Sequence, residues 1–451
     1  MKRKLSGSSQ KKSSIGRKTH KKEVIILGGG LAGLAAADRL LDDDKYRVTI
    51  LEKLPYLGGL ASTFTHGHDQ IPKYYHHVIS HNNVTKKFLD RFDLLDSCEW
   101  KRISVAIGVD GEYRDITKVF ELLKFRYLSL YEKIRFGLFG LYVLFTMNPE
   151  KIPDDMDAKS WLTRRAGRKV TQKIFNNLYA KNKFNIDLSK ISAKQFAHRL
   201  KEREVYDHYC YPKKGLQAMV DGLEQSIKKK GGKIIRSVRI SSIDAEKKLI
   251  KFRTPGQRTG SNQIMKSEII VNTIPVPEFL KLTSSLPQTY VSQLKRLRYC
   301  PTVCVTFGSK EFLDPKIYWF NIFKERAHVI MQHSILADRY KEKISWCLRY
   351  GGSENDLNLD DEEIKKRYLA VVRKYFPGVV IRWAYVFRDR YAEPVYDKDY
   401  VNYKPDYRTP VEGLYMAGIQ VTYPKIRNMN SALESGVKVA DMIINDQEDG
   451  T

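Results

Sequence analysis

The clearest pattern of apolar and polar segments begins just after the first twenty residues. Residues 24–27 (VIIL) form a continuous apolar run, which is typical of a strand buried in a parallel sheet. A glycine-rich turn follows at 28–33 (GGGLAG), and the Ala- and Leu-rich residues 34–41 predict a helix. Residues 48–51 (VTIL) predict a second buried strand, which ends at Glu52. This order predicts the strand–helix–strand unit of a Rossmann-like α/β domain.

The turn at 28–33 carries a GxGxxG pattern, and each of its three glycines has a physical task. Gly28 permits the tight turn, Gly30 lets the backbone approach a pyrophosphate, and Gly33 lets the helix pack close to the strand. The helix N-terminus offers unpaired N–H groups to the anion. Glu52 follows Gly33 by 19 residues and is placed to accept hydrogen bonds from an adenosine ribose. These residues predict a dinucleotide-binding site.

A second glycine-rich loop at 57–63 (LGGLAST) favours FAD over NAD. A simple NAD domain has no need of a glycine pair at this point, whereas a long flavin cofactor threads past it. The succession of GxGxxG, an acidic residue and a glycine pair resembles the FAD superfamily of amine oxidases, protoporphyrinogen oxidases and UDP-galactopyranose mutases. Many members have an Arg after the pair, where this chain has Leu60.

Segments near the C-terminus extend the resemblance. Residues 413–418 (GLYMAG) predict a strand that ends in a glycine, and residues 429–444 predict a helix. In the superfamily these elements return to the flavin, and a residue matching Val238 pairs its backbone with adenine. The resemblance therefore implies cofactor contacts by Gly28, Gly30, Leu31, Ala32, Gly33, Glu52, Lys53, Gly58, Gly59, Leu60, Val238, Gly418, Met429 and Asn430.

The resemblance runs from about residue 24 to 444 and also implies the domain organisation. We expect an α/β fold in which a Rossmann-like FAD-binding domain is interleaved with a substrate domain made of a mixed sheet and helices. The predicted parts are a disordered basic arm at 1–22, an FAD-binding domain assembled from 23–115, 206–285 and 401–446, a helical insert at 116–205, and a substrate domain at 286–400.

Residues 74–83 (YYHHVISHNN) hold the candidate catalytic side chains. In the superfamily the segment after the glycine pair lies near the flavin ring, where a neutral imidazole hydrogen-bonds the cofactor or shuttles a proton. We therefore expect His76 or His77 beside the flavin, with packing or surface exposure as the alternative. His81 fits this role less well. No metal-binding pattern is present in the sequence.

Four further motifs are 73–77 (KYYHH), 211–216 (YPKKGL), 390–396 (RYAEPVY) and YP at 423–424 before RNMN at 427–430. With these motifs the chain most resembles the bacterial and archaeal protoporphyrinogen-oxidase-like branch of the superfamily. The implied reaction is hydride transfer from a small-molecule substrate to FAD. Covalent members use a cysteine near the C-terminal flavin contact, but the last cysteine here is Cys347, so FAD is predicted to bind noncovalently. A UDP-galactopyranose-mutase-like reaction is the alternative, since Gly418 and Tyr423 match the mutase spacing. The mutase arginine after that glycine is Ile419 here, which favours the oxidoreductase.

Composition and charge indicate the chemical class of the partner. The chain is 42% hydrophobic, which excludes a largely disordered protein. Its net charge of +27 is concentrated in two segments. Residues 1–22 hold nine basic and no acidic residues, and residues 159–203 hold thirteen basic and two acidic residues. Solvated surface and polyanion binding both account for the second segment. We interpret the excess as support for an anionic substrate or membrane surface, rather than for specific nucleic-acid binding. A polyanion-binding flavoprotein is the remaining alternative, and the oligomeric state stays open.

Membrane and compartment expectations follow from two further features. No run of 18 apolar residues occurs, so no transmembrane helix is predicted. Residues 116–147 predict helices at the position where protoporphyrinogen oxidases carry a membrane-docking insert, which suggests peripheral membrane contact, with core packing as the alternative. The five cysteines show no CxxC spacing, which argues against disulfides and zinc and favours a cytoplasmic location.

Overall fold

A computed structural model describes residues 21–184, 186–202, 206–256, 262–350 and 354–448. The predicted basic arm lies outside these residues except for Lys21 and Lys22, and Lys22 begins the first strand. The strands are β1 (Lys22–Leu27), β2 (Tyr46–Leu51), β3 (Thr63–His66), β4 (Asp69–Pro72), β5 (Val78–Ile79), β6 (Lys101–Arg102), β7 (Val105–Val109), β8 (Glu112–Asp115), β9 (His208–Cys210), β10 (Lys233–Ile235), β11 (Arg239–Asp244), β12 (Leu249–Arg253), β13 (Gln263–Lys266), β14 (Ile269–Asn272), β15 (Tyr299–Ser309), β16 (Trp319–Ile322), β17 (Val329–Gln332), β18 (Lys343–Tyr350), β19 (Ile381–Pro394) and β20 (Leu414–Met416).

Helices connect and cover these strands. The α-helices are α1 (Leu31–Leu40), α2 (Asn83–Arg91), α3 (Val119–Lys124), α4 (Leu130–Phe145), α5 (Ala158–Ala166), α6 (Arg168–Val170), α7 (Ala193–Lys201), α8 (Gln217–Lys229), α9 (Val276–Leu282), α10 (Gln288–Leu294), α11 (Glu354–Asn358), α12 (Asp361–Tyr375) and α13 (Met429–Glu448). A π-helix spans Thr171–Phe184. Short 3₁₀ helices lie at Gly59–Ala61, Leu95–Ser97, Pro149–Lys151, Leu188–Lys190, His333–Ile335, Tyr400–Asn402 and Ile419–Val421.

Five strands form a parallel sheet in the order β10-β2-β1-β14-β20. The strands β1 and β2 contain the two predicted apolar runs, and Val24 pairs with Val48 on one side and with Ile269 on the other. Every one of these pairings is parallel. The sheet is covered by helices that include α1, and α1 packs closely against α13 because Gly436 admits the carbonyl of Ala32. The predicted α/β fold class is confirmed.

A larger mixed sheet has the order β19-β15-β18-β17-β16-β7-β8. The pairing of β7 with β16 is parallel, and its other pairings are antiparallel. Apolar residues of α12 pack on one face, with Tyr368 and Val372 fully buried. Trp346 and Met331 belong to a separate buried cluster with Tyr74 and Tyr75. This sheet therefore contacts the segment in which the candidate histidines lie.

The predicted domain segments contribute to these sheets as follows. All five strands of the parallel sheet come from 23–115, 206–285 and 401–446, apart from Lys22 at the start of β1. The first of these segments also supplies β7 and β8 to the mixed sheet. The other five strands of that sheet, β15, β16, β17, β18 and β19, come from the predicted substrate domain. The mixed sheet therefore contains strands from both predicted domains.

The segment 116–205 is largely helical and supplies most of one buried cluster, to which Ile107, Val109, Cys300, Phe323 and Val395 also belong. Phe139, Trp161, Phe175 and Phe196 pack together through ring contacts. A second set of large apolar side chains on α3 and α4 faces outwards: Val119, Phe120, Leu123, Leu130, Tyr131, Ile134, Leu138, Leu141 and Phe145 are all exposed. None of the helices in the described ranges combines the length and the apolar character needed to cross a membrane.

Candidate cofactor and active site

The carboxyl ends of the central parallel strands meet at one edge of the sheet. Leu27 pairs with Asn272, and Asn272 pairs with Met416, so the turns that follow β1, β14 and β20 leave the sheet at the same level. Gly28 begins the first of these turns, and Gly418 lies two residues after the end of β20. Ligands of parallel α/β sheets bind at this edge because loops and helix N-termini converge there. The structure therefore brings the N-terminal and C-terminal candidate residues together.

The first glycine turn has the shape that a pyrophosphate requires. Gly28 has a φ of 101°, which only glycine adopts at little cost. Gly33 faces the carbonyl of Gly28, and an added Cβ would collide with that oxygen. At Gly30, the residue preceding α1, an added Cβ would meet no protein atom within 4 Å. Open space beside a helix N-terminus fits the phosphates of FAD.

Glu52 is buried and holds the first turn in place. Its Oε2 accepts a 2.6 Å hydrogen bond from the N–H of Gly29, and its Oε1 accepts a 2.7 Å bond from the N–H of Leu54. The backbone N–H of Val238 donates to the carbonyl of Glu52 at 2.9 Å. Val238 thus lies beside Glu52, and its N–H is engaged within the protein. The side chain of Lys53 points outwards and is exposed.

The second glycine loop lies directly against the first. The N–H of Gly58 donates to the carbonyl of Gly29 at 2.8 Å, and Gly30 and Gly58 form a parallel bridge. Gly58 and Gly59 have φ values of 98° and 57°, both in the left-handed region. A side chain at either position would be strained, which explains the glycine pair physically. The two loops together form one glycine-lined surface.

Residues 74–83, here called the histidine loop, continue from this surface towards the mixed sheet. His76 Nε2 donates to the carbonyl of Leu60 at 2.8 Å, which fixes its tautomer. His77 Nδ1 lies 3.0 Å from the hydroxyl of Tyr318, and its ring packs against Tyr209 with centroids 4.7 Å apart. Burial lowers the pKa of His76, and burial together with nearby positive groups lowers the pKa of His77 to about 3. Both imidazoles are therefore neutral at pH 7.

His81 belongs to a different cluster. Its Nδ1 lies 2.6 Å from Asp207 Oδ2, and its Nε2 lies 3.2 Å from Glu202 Oε2. Hydrogen bonds to Glu202 and Asp207 outweigh burial and raise the pKa of His81 to about 9. His81 is thus a charged partner in an ion-pair cluster, which separates it from the two neutral imidazoles of the same loop.

The C-terminal elements close the site from the other side. Gly418 has a φ of 106°, and its N–H donates to Ser435 Oγ at 2.9 Å. Met429 is buried at the first position of α13. The side-chain carbonyl of Asn430 accepts hydrogen bonds from the N–H groups of Val84 and Thr85, in the first turn of α2. The side chain of Asn430 therefore joins α13 to the helix that follows the histidine loop.

One buried cluster of charged residues was not predicted from the sequence. The carboxylate of Glu393 lies 3.5 Å from Lys183 Nζ and 3.3 Å from Arg427 Nη2. Burial alone raises the pKa of Glu393, but Lys183, Arg427 and Arg199 together lower it below its usual value. Glu393 lies in the segment 390–396 (RYAEPVY) and Arg427 in the segment 423–430 (YPKIRNMN), and both segments contain other charged or polar residues. Nothing in the linear spacing indicated that these motifs meet Lys183 of the helical segment.

A comparison with known families decides the assignment of the whole chain. A family model for flavin-containing amine oxidoreductases matches residues 31–444. The chain belongs to the flavin-containing amine oxidoreductase family. This amine oxidoreductase is accordingly an FAD-dependent enzyme, which confirms the predicted family, cofactor and reaction class. The glycine turn, the open space at Gly30 and the convergence of loops at one sheet edge fit that cofactor.

Relatives of this amine oxidoreductase have several different activities. The 15-cis-phytoene desaturase of Synechococcus elongatus is 22% identical, over 94% of this chain and 96% of the relative. A protoporphyrinogen-oxidase-like protein of Exiguobacterium sp. 255-15 superimposes with a TM-score of 0.74 at 16% identity, covering 94% of this chain and 99% of that one. Reduced UDP-galactopyranose mutase gives 0.75 at 13% identity, with 94% of both chains covered. Putrescine-bound putrescine oxidase gives 0.72 at 15% identity, covering 94% and 99%. At these identities the structures establish the shared fold alone.

Proposed function

We propose that the glycine-lined sheet edge binds FAD noncovalently and that the enzyme oxidises a small anionic molecule by hydride transfer. The observation that carries this proposal is the open space at Gly30, which lies beside the N-terminus of α1 and against the second glycine loop. When bound, FAD supplies the group that accepts the hydride equivalent. The excess of basic residues supports a substrate with negative charge.

The protein residues have separable tasks in this proposal. Leu31, Ala32 and Gly33 form the first turn of α1 and present backbone N–H groups to the pyrophosphate. Glu52 accepts from the ribose hydroxyls while it holds Gly29 in place. Gly418 follows β20 at the same sheet edge as Gly28. Together with Met429 and Asn430 at the N-terminus of α13, it would hold the flavin end of the cofactor, where a positive helix end would stabilise negative charge.

His76 and His77 act in the proposal as neutral hydrogen-bonding groups. The proton on His76 Nε2 is committed to the carbonyl of Leu60, so this side chain fixes the glycine loop relative to the histidine loop. His77 contacts Tyr318 and Tyr209, and burial, His76 and Arg199 all lower its pKa. Neither side chain supplies a positive charge at pH 7. We therefore do not propose that a charged histidine carries the substrate proton.

Gly30→Val tests the cofactor placement. The added side chain occupies the space assigned to the pyrophosphate, so the purified variant is expected to lose the visible flavin absorption that the native protein shows. Gly378→Val is the matched control, because an added Cβ there also meets no protein atom within 4 Å and its φ is unstrained. Equal flavin content in the Gly30→Val variant and the native protein would contradict the placement.

Anaerobic spectroscopy tests the reaction class on the FAD-loaded protein. An oxidoreductase substrate bleaches the flavin absorption in the absence of oxygen, and admission of an electron acceptor restores it. A mutase instead requires prior reduction and gives no net bleaching with its substrate. A screen of nucleotide sugars, porphyrinogens and amines is expected to contain a compound that bleaches the native protein and leaves the Gly30→Val variant unchanged.

We also propose a cytoplasmic enzyme that contacts an anionic membrane surface through residues 116–147. The exposed side chains of α4 at 130, 134, 138, 141 and 145 share one face of the helix, opposite the buried Phe139 and Val143. Lys118, Lys124 and Arg126 are exposed around this face and complement anionic lipid. The five cysteines are all free thiols, which supports a reducing compartment.

Vesicle co-sedimentation tests the membrane contact. The native protein is expected to sediment with vesicles of phosphatidylcholine and phosphatidylserine, and the double variant Phe120→Ser/Phe145→Ser is expected to bind them roughly tenfold or more weakly, because it removes two large exposed rings. Ile264→Ser is the control, since Ile264 is exposed elsewhere on the molecule. Equal losses in the control and in the double variant would contradict the assignment of this face.

A further inference from the structure

A cavity of about 120 Å³ lies between the π-helix and the mixed sheet, apart from the residues assigned to the cofactor. Its walls include Asn182 and Lys183 from the π-helix, Arg199 from α7 and Trp319 and Asn321 from β16. Tyr75 of the histidine loop completes one side. The segments that meet here are far apart in the sequence, so the cavity is a product of the tertiary fold.

The charge of the lining has one sign. Lys183 and Arg199 both line the cavity, and none of the described lining residues is an Asp or a Glu. Glu393 approaches Lys183 from outside the lining and also faces Arg427, so the surrounding cations outnumber this carboxylate. Positive charge in a largely buried, low-dielectric wall attracts an anion and disfavours an ammonium group. The lining therefore favours a carboxylate or phosphate ligand over an amine.

Aromatic rings make up much of the remaining wall. The ring centroids of Tyr75 and Trp319 are 6.1 Å apart, and those of Tyr75 and Tyr350 are also 6.1 Å apart at nearly perpendicular planes. The hydroxyl of Tyr350 donates to that of Tyr75 at 2.9 Å, which holds the two rings in position. Cavities of roughly 150 Å³ accept one benzene molecule. A volume of about 120 Å³ is somewhat smaller, so the cavity admits at most a group of about one six-membered ring.

Polar groups beside the rings can orient a ligand by hydrogen bonding. Trp319 Nε1 donates to Asn321 Oδ1 at 3.2 Å, and the Nδ2 group of Asn321 makes no hydrogen bond within the described part of the chain. An amide N–H₂ group in this position is a donor for an oxygen-rich ligand. The cavity thus combines aromatic surface, cations and an amide donor, which are the groups that a ring-bearing anion pairs with.

The histidine loop connects this cavity to the glycine-lined surface. Tyr75 lines the cavity, and the adjacent His76 donates to the carbonyl of Leu60 in the second glycine loop. The ring of His77 lies 6.4 Å from that of Trp319, between centroids. Because Tyr75 and His76 are consecutive residues, the cavity lies next to the proposed flavin site.

We infer that the cavity binds a monocyclic carboxylate or phosphate, with the ring held among Tyr75, Trp319 and Tyr350 and the anionic group held by Lys183 and Arg199. The inference rests on the proposed function in taking this ligand as the substrate, and it narrows that substrate to a ring-sized anion.

A probe series of constant size and varying charge tests this inference. Benzoate, phenyl phosphate, benzamide and benzylamine are titrated into the full-length, FAD-loaded protein by isothermal calorimetry, and the flavin absorption is recorded in parallel. Benzoate or phenyl phosphate is expected to bind about tenfold or more tightly than benzamide, since a charged hydrogen bond is worth roughly 1.5–3 kcal/mol, and benzylamine is expected to bind most weakly. Comparison of the two anions identifies the preferred group.

Three variants locate the binding site. Arg199→Gln is expected to weaken the preferred anion about tenfold and to leave benzamide nearly unchanged. Asn321→Asp, which keeps the side-chain shape and adds a negative charge, is expected to weaken the binding of benzoate and to strengthen that of benzylamine. Lys181→Met removes an exposed cation from the same π-helix and is the control. The gain of benzylamine binding in the Asn321→Asp variant requires a folded cavity, so misfolding does not imitate it.

The outcomes separate this inference from the proposed function. Equal affinity for benzoate, phenyl phosphate and benzamide overturns the cavity assignment. An equal loss of anion affinity in the Lys181→Met and Arg199→Gln variants does the same. If the protein still shows flavin absorption in these cases, the proposed cofactor site stands. Absence of flavin absorption overturns the proposed cofactor site. The preference for anionic over neutral probes can then still be measured by calorimetry on the flavin-free protein. Flavin absorption in the native protein, together with weaker benzoate binding and stronger benzylamine binding in the Asn321→Asp variant, supports both.

Discussion

At the scale of single residues, the neighbours of a helical glycine decide what an added methyl group does. Gly33 lies in the first turn of α1, where an added Cβ collides with the carbonyl of Gly28. Gly137 lies within α4, where an added Cβ meets no protein atom within 4 Å. Both positions have a helical backbone, and they differ in packing. They therefore separate intrinsic helix propensity from tertiary contact.

We predict opposite signs for the two alanine substitutions. Gly137→Ala is expected to raise the free energy of unfolding by about 0.5–1 kcal/mol, because alanine favours the helix. Gly33→Ala is expected to lower it by about 1–3 kcal/mol, because α1 must move away from the turn. Chemical denaturation of both variants measures the difference. A stabilising Gly33→Ala substitution would show that α1 approaches the turn less closely than the structure has it.

At the scale of elements, Asn430 joins α13 to α2. Its Oδ1 accepts from the N–H groups of Val84 and Thr85 at 3.0 and 3.1 Å, so it satisfies the first turn of a helix to which it does not belong. An asparagine at the start of a helix ordinarily caps its own helix. Here the side chain caps a neighbouring helix that follows the histidine loop.

Removal of this contact is expected to cost about 1 kcal/mol in Asn430→Ala, because two N–H groups lose their acceptor. Asn430→Asp retains an acceptor oxygen and adds a charge that suits a helix N-terminus, so it is expected to remain close to the native stability. Denaturation midpoints measure both effects. Equal destabilisation by alanine and aspartate would indicate that the amide N–H₂ group, rather than Oδ1, is the stabilising part.

At the scale of the whole molecule, buried histidines set the dependence of stability on pH. Burial lowers the pKa of His77 and His333 to about 3 and that of His328 to about 4. In the unfolded chain these histidines have a pKa near 6.5, so below that pH they bind protons in the unfolded chain but not in the folded protein. The free energy of unfolding therefore falls as the pH drops below about 6.5. His81, with its pKa raised to about 9, acts in the opposite direction and loses its contribution as the pH rises through 9.

We therefore predict maximum stability near neutral pH and a decline between pH 6.5 and 5. Urea denaturation at closely spaced pH values measures the slope. His333→Gln is expected to make this slope shallower, whatever its effect on overall stability, because one buried neutral imidazole is removed. The exposed His68→Gln is the control and is expected to leave the slope unchanged. An unaltered slope in the His333→Gln variant would contradict the assigned role of buried histidines.

Much of the fold follows from local signals in the sequence. The apolar runs at 24–27 and 48–51 lie in paired parallel strands, and the glycine turn between them precedes α1 as predicted. The glycine pair at 58–59 has the left-handed φ values that only glycine adopts easily. These features were predictable because strand burial, turn geometry and helix initiation each depend on a few neighbouring residues.

Only the tertiary structure decided which distant residues meet. The Glu393, Lys183 and Arg427 cluster joins three segments, and the cavity beside Tyr75 has walls from the π-helix and from β16. The sequence also held His76, His77 and His81 in one motif, and the structure separated two neutral imidazoles from one charged partner of carboxylates. The sequence by itself determined the cofactor class, because a cofactor loop is a local arrangement of backbone. The ligand cavity and the charge of each histidine were decided by the fold, because burial and long-range electrostatics depend on residues that are distant along the chain.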